Sequence, residues 1–568
     1  MIVPAERATG SLDLRIKALA VLKLHSRRMR KPKSGYGKVK VGTHPKDVLI
    51  RAAQASLVAI FVVWATFTVN VAGASDHSKA KTCFDRGQKH LAQHDYRAAV
   101  ADYTDAIRND PRYTDAYIRR GVAYAKMNDV EHAMKDFTKS IQVQPSYYGY
   151  FMRGATEVHG GHDTKGILDI SQAIKLRPGN ELYYIDRGQA YHLSGNNPMA
   201  LKDLNHALVL KPRNWLVYLE LGMLYADIKQ DKAALSDLDQ AISLNPNDGY
   251  AYVRRGMILD DQGMYAQAIR DFTQAIHLHY NHSHVYYFLG WSQIHLNLNS
   301  DAIEDFTTEI QRWPNDPGGF YGRGHAESSV NQNKAALADF NRAIILSPKS
   351  KDAYFERGRV NLRLKKDLNA TSDFTHAIGL DRTSPDYYFG RALAYTHLGT
   401  LNSAVRDYGI AIRLNPKNEP AYNNRAILFA KMKRYDRAIS DMYTANRLSH
   451  GKRSALRLGN VGWYQYKAGR LGEAVKTDVA ALALDPTQTG IRFNLALVYA
   501  VQGSWQESEP QLKLAMAQAG PTAIVGAVKG FYDTIKSHPT AALRRGLALL
   551  QTRKPHGAKA TAPTQPIH

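Results

Sequence analysis

The feature that most constrains the fold of this 568-residue chain is a period of 34 residues. A small residue, called here the marker, returns thirteen times at that spacing, with one gap of 33 and one of 36 residues. The markers are Gly87, Gly121, Gly154, Gly188, Gly222, Gly256, Gly290, Gly324, Gly358, Ala392, Ala426, Gly462 and Ala496. A period of this length is typical of solenoids, in which each unit packs on its neighbours. We therefore expect a repeat array and not one globular core.

Further small residues follow each marker at fixed distances. After Gly222, for example, come Ala234, Ala241 and then Pro246, a residue that cannot continue a helix. The alanine that Ala241 represents recurs in nearly every unit, and only Ser140 and Glu309 replace it. Large apolar residues fill the positions between the small ones. Each unit is therefore predicted to be two helices that approach closely.

Two segments show the halves of the unit in full, Asp115 to Tyr124 and Ala268 to Ile276. They resemble the tetratricopeptide repeat, and the resemblance extends over thirteen units, residues 80–520. It implies an all-α, right-handed solenoid of helix-turn-helix units, with a concave groove lined mainly by the first helix of each unit. Residues 521–551 are predicted to be helices that close the array, and residues 552–568 a disordered tail.

An arginine precedes most markers, and an aspartate lies sixteen residues after that arginine. Such charges could grip a ligand in the groove. They could also join helices, because the guanidinium fork matches a carboxylate. Their fixed spacing in unit after unit favours the structural interpretation. We expect contacts within one repeat, such as Arg255 with Asp271, in preference to Arg255 with Asp237.

Residues 48–75 form a hydrophobic segment ahead of the array, and no charged residue occurs from Ala52 to Ser75. Because about 20 apolar residues span a bilayer as a helix, residues 52–72 are predicted to be a transmembrane anchor. The preceding residues, 1–47, are basic and predicted to be a disordered cytoplasmic tail. Positive charge stays inside, so the array is predicted on the outer side of the membrane. The alternative is a secreted protein that is cleaved near Ala74.

Charge and cysteine content exclude several classes of function. The formal net charge is +24, but residues 1–51 hold thirteen Lys or Arg against three acids, which leaves about +14 for all the rest. No dense basic stripe remains, so no nucleic-acid partner is predicted. A single cysteine, Cys83, excludes internal disulfides and cysteine-based zinc sites. Nucleotide-binding and hydrolase motifs are absent, so we predict no enzyme, no catalytic residue and no cofactor.

Four histidines lie between His277 and His284 at a junction of two repeats. Imidazole suits zinc, copper and nickel, so this segment could bind a metal. No carboxylate or cysteine is interleaved with the histidines, and a polar turn is the commoner structure. No metal site is predicted.

These observations predict a scaffold that holds a protein or peptide partner in its groove. Residues three before the marker, such as Phe84, Ile118 and Phe151, are expected to face that groove. Aromatic, Arg and His side chains concentrate in repeats seven to ten, and such residues dominate binding energy at interfaces. The predicted partner-binding residues are Tyr287, Trp291, Tyr321, His325, Phe355, Arg359, Arg363 and Phe389. Some of these aromatics could instead complete the packing between helices. The alternative function is a glycan-binding accessory protein of the cell envelope.

Overall fold

The structure, a computed structural model, describes residues 76–280, 284–449 and 454–552. Within these ranges the chain forms α-helices only, joined by turns, which confirms the all-helical repeat fold. The predicted basic tail, the predicted membrane segment (48–75) and nearly all of the predicted C-terminal tail lie outside the described residues. Among the helices that the structure does describe, none combines the length and apolarity that a membrane crossing requires.

The described helices form two compact units, which divide between Val330 and Asn331. Repeat one consists of α1 and α2, repeat two of α3 and α4, and so on to repeat thirteen. The first helices are α1 (His77–Ala92), α3 (Thr114–Lys126), α5 (Tyr147–Gly160), α7 (Glu181–Leu193), α9 (Trp215–Asp227), α11 (Gly249–Asp261), α13 (Val285–His295), α15 (Pro317–Ser329), α17 (Lys351–Arg363), α19 (Pro385–His397), α21 (Glu419–Lys431), α23 (Ser454–Lys467) and α25 (Thr489–Val501).

The second helices are α2 (Tyr96–Asn109), α4 (Val130–Val143), α6 (Asp163–Leu176), α8 (Asn197–Leu210), α10 (Asp231–Leu244), α12 (Tyr265–His277), α14 (Asn299–Arg312), α16 (Asn333–Leu346), α18 (Asp367–Leu380), α20 (Leu401–Leu414), α22 (Tyr435–Leu448), α24 (Leu471–Leu484) and α26 (Trp505–Gln518). Two more helices follow, α27 (Pro521–Ser537) and α28 (Ala541–Gln551). The N-terminal unit ends with α15, and the C-terminal unit begins with α16. The superhelical hand of the whole array stays a prediction.

The turn inside each repeat contains one residue with left-handed backbone. These residues are His94, Asn128, Gly161, Gly195, Lys229, Gly263, Asn297, Asn331, Lys365, Gly399, Lys433, Gly469 and Gly503. Each lies seven residues after a marker, so the turns repeat with the period of the sequence. A left-handed residue ends a helix and reverses the chain tightly. The thirteen turns therefore fix where each first helix stops.

The markers are small because the two helices of a repeat touch there. A Cβ added at Gly121 would lie 2.7 Å from Cε1 of Phe137, a fully buried ring on the second helix of the same repeat. The same closeness exists between repeats, because a Cβ at Gly322 would lie 2.3 Å from Cε1 of Phe306. Larger residues at either point would push apart the helices that the array depends on.

The expected Arg–Asp contacts form within single repeats, as predicted for Arg255 and Asp271. We call the set the Arg–Asp ladder. Its nitrogen–oxygen distances lie between 2.5 and 3.1 Å. Its members include Arg86–Asp102, Arg120–Asp136, Arg153–Asp169, Arg187–Asp203, Arg255–Asp271, Arg357–Asp373, Arg391–Asp407 and Arg425–Asp441. Most are two-pronged, with Nε and Nη2 on the two carboxylate oxygens.

The third guanidinium nitrogen of the ladder reaches the preceding repeat, which the sequence analysis missed. Nη1 of Arg187 donates to Ser171 Oγ at 3.0 Å, and Nη1 of Arg357 donates to Asn341 Oδ1 at 2.7 Å. A polar residue lies two positions after most of the ladder aspartates, but Gly409 follows Asp407 at that position. The same bond appears from Arg120 to Thr104, Arg153 to Thr138, Arg255 to Asp239, Arg323 to Thr307 and Arg391 to Thr375. Each such arginine therefore joins two repeats as well as two helices.

The last two helices cover the end of the array. Phe531 on α27 and Leu543 and Leu550 on α28 are buried against Phe493 and Leu512 of repeat thirteen. Burial of apolar surface of this kind is favourable by roughly 25 cal/mol per Å². Because a solenoid otherwise ends in an open apolar face, α27 and α28 protect the face that a fourteenth repeat would cover.

Candidate functional site

The eight predicted partner-binding residues all lie on first helices, in two separate units. In the N-terminal unit, α13 carries Tyr287 and Trp291, and α15 carries Tyr321 and His325. In the C-terminal unit, α17 carries Phe355, Arg359 and Arg363, and α19 carries Phe389.

Two of the four residues in the N-terminal unit belong to its core. Trp291 is 6% exposed and Tyr321 is 3% exposed. The Trp291 ring lies 5.8 Å from the ring of Phe306, 5.9 Å from that of Tyr321 and 5.5 Å from that of His325. Burial also raises the pKa of Tyr287. The Trp291 and Tyr321 rings therefore pack between helices, whereas Tyr287 and His325 are half-buried.

The C-terminal unit leaves more of its four residues accessible. Phe355 and Phe389 are half-buried, Arg359 is 41% exposed at its side chain, and Arg363 is exposed. Arg359 donates from Nη1 to the buried Glu356 at 3.1 Å and lies 5.7 Å above the Phe355 ring. Burial raises the pKa of Glu356, and Arg359 opposes that shift. The partner-binding role of the eight residues stays a prediction, with Arg359 and Arg363 the best placed of them.

The expectation for residues three before the marker is wrong in the first six repeats. Phe84, Phe151 and Leu219 are buried, and so are the residues between them in the series, Ile118, Ile185 and Val253. These side chains pack on the next repeat, as Phe151 does on Tyr183, with ring centroids 4.6 Å apart. They form part of the contact between neighbouring first helices and do not line an open groove.

A cavity of about 430 Å³ opens at the C-terminal end of the array. Three helices line it, α23, α25 and α27, so it lies on the side of the first helices, and the helix that follows the last repeat forms its third wall. Small-molecule and side-chain pockets typically measure about 300–1,000 Å³. This cavity is therefore large enough for one or two side chains of a partner.

The cavity wall combines aromatic, amide and charged groups. Asn460, Trp463 and Lys467 come from one face of α23, and Asn494 and Phe493 come from α25. The remaining charged groups are Lys529 and Asp533, both on α27. A few polar groups in a mainly apolar wall are what orient a ligand.

Lys467 is the most unusual group of this wall. Its Nζ lies 4.5 Å from the ring centroid of Trp463 and 5.2 Å from that of Tyr466. Loss of hydration lowers the pKa of Lys467, although Asp533 opposes that shift. Tyr466 is itself tied to α27, because its hydroxyl lies 3.3 Å from Oγ1 of Thr534. The Lys467 side chain is nevertheless exposed, so an acidic group that entered the cavity could reach its ammonium group.

The sequence analysis missed this cavity. One available signal is the spacing of Asn460, Trp463 and Lys467, which puts three interaction-prone side chains on one helix face. That spacing does not show that α27 folds back over the face. The cavity exists because that helix does so.

Of the described histidines in the segment at residues 277–284, His284 lies in a group of three possible metal-ligating side chains. His284 ends the turn before α13, and its ring faces two carboxylates from elsewhere in the chain, Glu309 of α14 and Asp316 at the start of α15. Residues 281–283 lie outside the described residues. The segment itself contains no carboxylate, and the two that face His284 come from α14 and from the residue before α15.

Family models for the tetratricopeptide repeat match residues 114–147, 217–248, 253–317 and 321–385. Among solved structures, the crystal structure of the APC/C hetero-tetramer Cut9–Hcn1 has a similar chain at 14% identity. The match covers 83% of this chain and 96% of that one, with a TM-score of 0.33. A crystal structure of MamA protein is 18% identical over 30% of this chain and 95% of its own, with a TM-score of 0.28. A comparison with curated proteins finds no match.

Proposed function

The chain is a tetratricopeptide-repeat protein, and we propose that it is a non-enzymatic scaffold that binds a protein partner in the cavity between α23, α25 and α27. The observation that carries this proposal is the cavity itself, which is large enough for side chains of a partner and lies beside first helices. Tetratricopeptide repeats suggest an interaction role for the array as a whole. The cavity supports a binding site for this role at the C-terminal end of the array.

The chemistry of the wall indicates what the partner presents. Trp463 and Phe493 favour an apolar side chain, because aromatic surfaces supply large contact area. Lys467 and Lys529 outnumber Asp533, which favours a neighbouring acidic group on the partner. Asn460 and Asn494 provide donors and acceptors for the backbone of an extended segment. The proposed ligand is therefore an acidic peptide segment with one buried apolar residue.

Charge reversal at Lys467 tests this site. We expect Lys467→Glu to reduce capture of the partner by about tenfold or more, because it replaces attraction for an acidic group with repulsion. The matched control is Lys476→Glu, which makes the same change of charge at an exposed position of α24 outside the cavity wall. The measurement is crosslinking in intact cells followed by purification of the full chain and identification of the attached molecules.

Equal recovery of the same proteins with Lys467→Glu and Lys476→Glu would place the binding surface elsewhere. Recovery of glycan fragments in place of proteins would favour the alternative, a glycan-binding accessory protein.

Arg363 provides the second surface to test, because it is exposed and belongs to the predicted set. Arg363→Ala should weaken capture without altering the thermal melt, whereas Trp291→Ala should lower the melt because Trp291 is core.

We further propose that residues 52–72 anchor the scaffold in a membrane, with the array on the outer side. The support is the uncharged segment and the basic residues before it. Protease added to sealed vesicles of known orientation tests the topology. The array should be digested only from the outer face, and digestion from the cytoplasmic face would reverse the assignment. A mature protein that begins near Ser75 would establish secretion in place of anchoring.

A further inference from the structure

Three ionisable side chains meet at the boundary of repeats seven and eight, inside the N-terminal unit. They are His284 before α13, Glu309 on α14 and Asp316 before α15. Nδ1 of His284 makes a short contact with Oε1 of Glu309 and lies 3.5 Å from Oδ2 of Asp316. One ligand atom from each residue lies within 4.8 Å of the other two. We call this group the His-Glu-Asp cluster.

Both carboxylates are buried, and each has an oxygen with no hydrogen bond. The side chain of Glu309 is 1% exposed and that of Asp316 is 5% exposed. Asp316 uses Oδ1 to cap α15, because Oδ1 accepts from the amide of Gly318 at 3.1 Å. Oε2 of Glu309 and Oδ2 of Asp316 have no hydrogen-bond partner among the described residues. Buried acceptors without a donor are costly and call for a missing partner.

The charges of the cluster do not balance. Two carboxyl groups face one histidine, so when both are ionised even a protonated imidazole leaves one negative charge in a buried site. An uncompensated buried charge is strongly unfavourable. A divalent cation would balance two carboxylates completely, with His284 neutral and its proton released to solvent. The two unbonded oxygens and the Nδ1 lone pair would then all have a partner.

The sequence marks Glu309 as an exception. Its position is alanine in neighbouring repeats, as at Ala275 and Ala343, and both of these alanines are buried. The packing of a repeat therefore needs no carboxylate at this point. His284, at the helix N-cap, likewise makes no capping bond with its side chain. Neither residue is explained by the repeat fold itself.

We propose that His284, Glu309 and Asp316 form a binding site for a divalent transition metal of the zinc class. One imidazole nitrogen and two carboxylate oxygens suit Zn²⁺, Co²⁺ or Mn²⁺, whereas Ca²⁺ and Mg²⁺ prefer oxygen alone. Three protein ligands leave a coordination position for water or for a group from a partner. The metal would tie the starts of α13 and α15 to α14, and so join repeat seven to repeat eight.

Cobalt titration of the full chain, after treatment with a chelator, tests the site. We expect one equivalent of Co²⁺ per chain to produce visible absorbance that Zn²⁺ abolishes by competition. Glu309→Gln and Asp316→Asn should each weaken binding by about tenfold or more, since each replaces an anionic ligand with a neutral amide. Asparagine keeps the helix cap at residue 316, and glutamine keeps the shape of Glu309.

Glu309→Ala provides a second variant, because alanine is the residue that other repeats carry there. The matched control is His279→Ala, which removes a histidine of the same segment but outside the cluster, and which should bind cobalt as the wild type does. Zn²⁺ should raise the melting temperature of the wild type and of His279→Ala, but not of the cluster variants. Equal cobalt binding by the wild type and Glu309→Gln, or no stoichiometric binding by the wild type, would overturn the proposal.

A fluorescence measurement locates the metal. The exposed Trp313 lies with its ring centroid 5.0 Å from that of His284. Co²⁺ should quench its emission, and Trp313→Phe should remove that part of the quenching while leaving the cobalt stoichiometry unchanged. Quenching that is the same in Trp313→Phe would place the bound metal away from the cluster.

Discussion

Repeat four and repeat twelve each bury an aspartate, but only repeat four gives it a partner. In repeat four, the Asp203 side chain is 4% exposed and accepts from Arg187 at 2.6 and 2.8 Å. In repeat twelve, Val461 and Thr477 stand at the two ladder positions, and Asp478 lies one residue later. Asp478 is fully buried, and neither of its oxygens has a hydrogen bond within the described residues.

This difference shows that burial alone does not determine whether an aspartate is charged. The Arg187 fork satisfies Asp203 in its ionised form, so a charge can stay in the interior. Burial without a partner raises the pKa of Asp478 to about 8, so its neutral form dominates at pH 7. Asp478 also occupies the position of the large apolar side chain, held by Leu204 in repeat four and Leu238 in repeat five.

Repeats five and seven show the intermediate case, in which leucine replaces the ladder arginine. Asp237 and Asp305 then remain partly exposed, and burial raises the pKa of each to about 6. Asp305 also accepts from Nε2 of Gln293 at 2.8 Å. Loss of the arginine is thus tolerated where water or an amide can reach the carboxylate.

The largest effect is expected from removing the ladder arginine of repeat four. Arg187→Ala would leave Asp203 buried and unpaired, which costs about 3–5 kcal/mol. It would also remove the bond to Ser171 in the preceding repeat. Chemical denaturation measures the change, and hydrogen exchange of α7 and α8 shows where it acts. Arg213→Ala, at an exposed position, is the control and should change stability by less than about 0.5 kcal/mol.

A paired replacement separates the cost of the orphaned charge from the value of the contact. Arg187→Leu with Asp203→Leu removes both charges, and its loss of stability should be smaller than that of Arg187→Ala. If the double variant is instead as unstable as the single one, the Arg187–Asp203 contact itself stabilises the fold. The contrast drawn with repeat twelve would then be wrong.

An intermediate effect of opposite sign is expected at Asp478. The unfolded pKa is 3.8 and the folded pKa is raised to about 8, so between these values the native state binds the extra proton. Stability of the wild type should therefore fall as the pH rises from about 4 to 8 and level off above that. Asp478→Leu should remove this slope and raise the stability by about 1–3 kcal/mol where the carboxyl is neutral, and by more above pH 8, where the wild type must ionise it.

Thermal melts at a series of pH values measure both parts of this prediction. The control is Glu507→Gln, an exposed carboxylate of the next repeat, which should keep the slope of the wild type. A slope that persists in Asp478→Leu would assign the pH dependence to another group. A variant that melts earlier than the wild type at pH 9 would mean that Asp478 has a partner and that repeat twelve resembles repeat four after all.

The repeats and the ladder could be predicted from sequence because they are periodic. Arg255 and Asp271 recur at one spacing in many units, and a local contact within a repeat is the simplest cause. Burial could not be predicted in the same way. Trp291 looks like a groove residue until Phe306, Tyr321 and His325 are placed around it.

The two proposed sites depend on exceptions to the period, and this is why sequence reasoning missed them. The cavity needs α27 to fold back on α23 and α25, which no repeat specifies. The His-Glu-Asp cluster needs Glu309 at an alanine position and Asp316 at the start of the following helix. A residue that departs from the period occurs only once, so no repeated spacing indicates which residues lie near it. Its neighbours can be identified only in the structure.

The smallest effect concerns the turns, where burial plays no part and the left-handed residue is lysine in repeat nine and glycine in repeat ten. Lys365 and Gly399 hold the same left-handed backbone, with φ of 57° and 73°. A Cβ in this region costs about 1–2 kcal/mol, while the freedom of glycine in the unfolded chain costs about 0.5–1 kcal/mol. Lys365→Gly should therefore stabilise repeat nine slightly, by roughly 0.5 kcal/mol, and Gly399→Ala should destabilise repeat ten by a similar amount. An alanine Cβ at residue 399 has no neighbour within 4 Å, so no clash enters the result.

Denaturation of the two single variants and of the exchanged pair, Lys365→Gly with Gly399→Lys, measures the balance of the two backbone costs. If the two changes in stability nearly cancel in the pair, they give the backbone cost of a left-handed residue with a side chain, and the burial effects at Arg187 and Asp478 can be compared with that cost. An increase in stability from Gly399→Ala would show that the turns do not share one energetic cost.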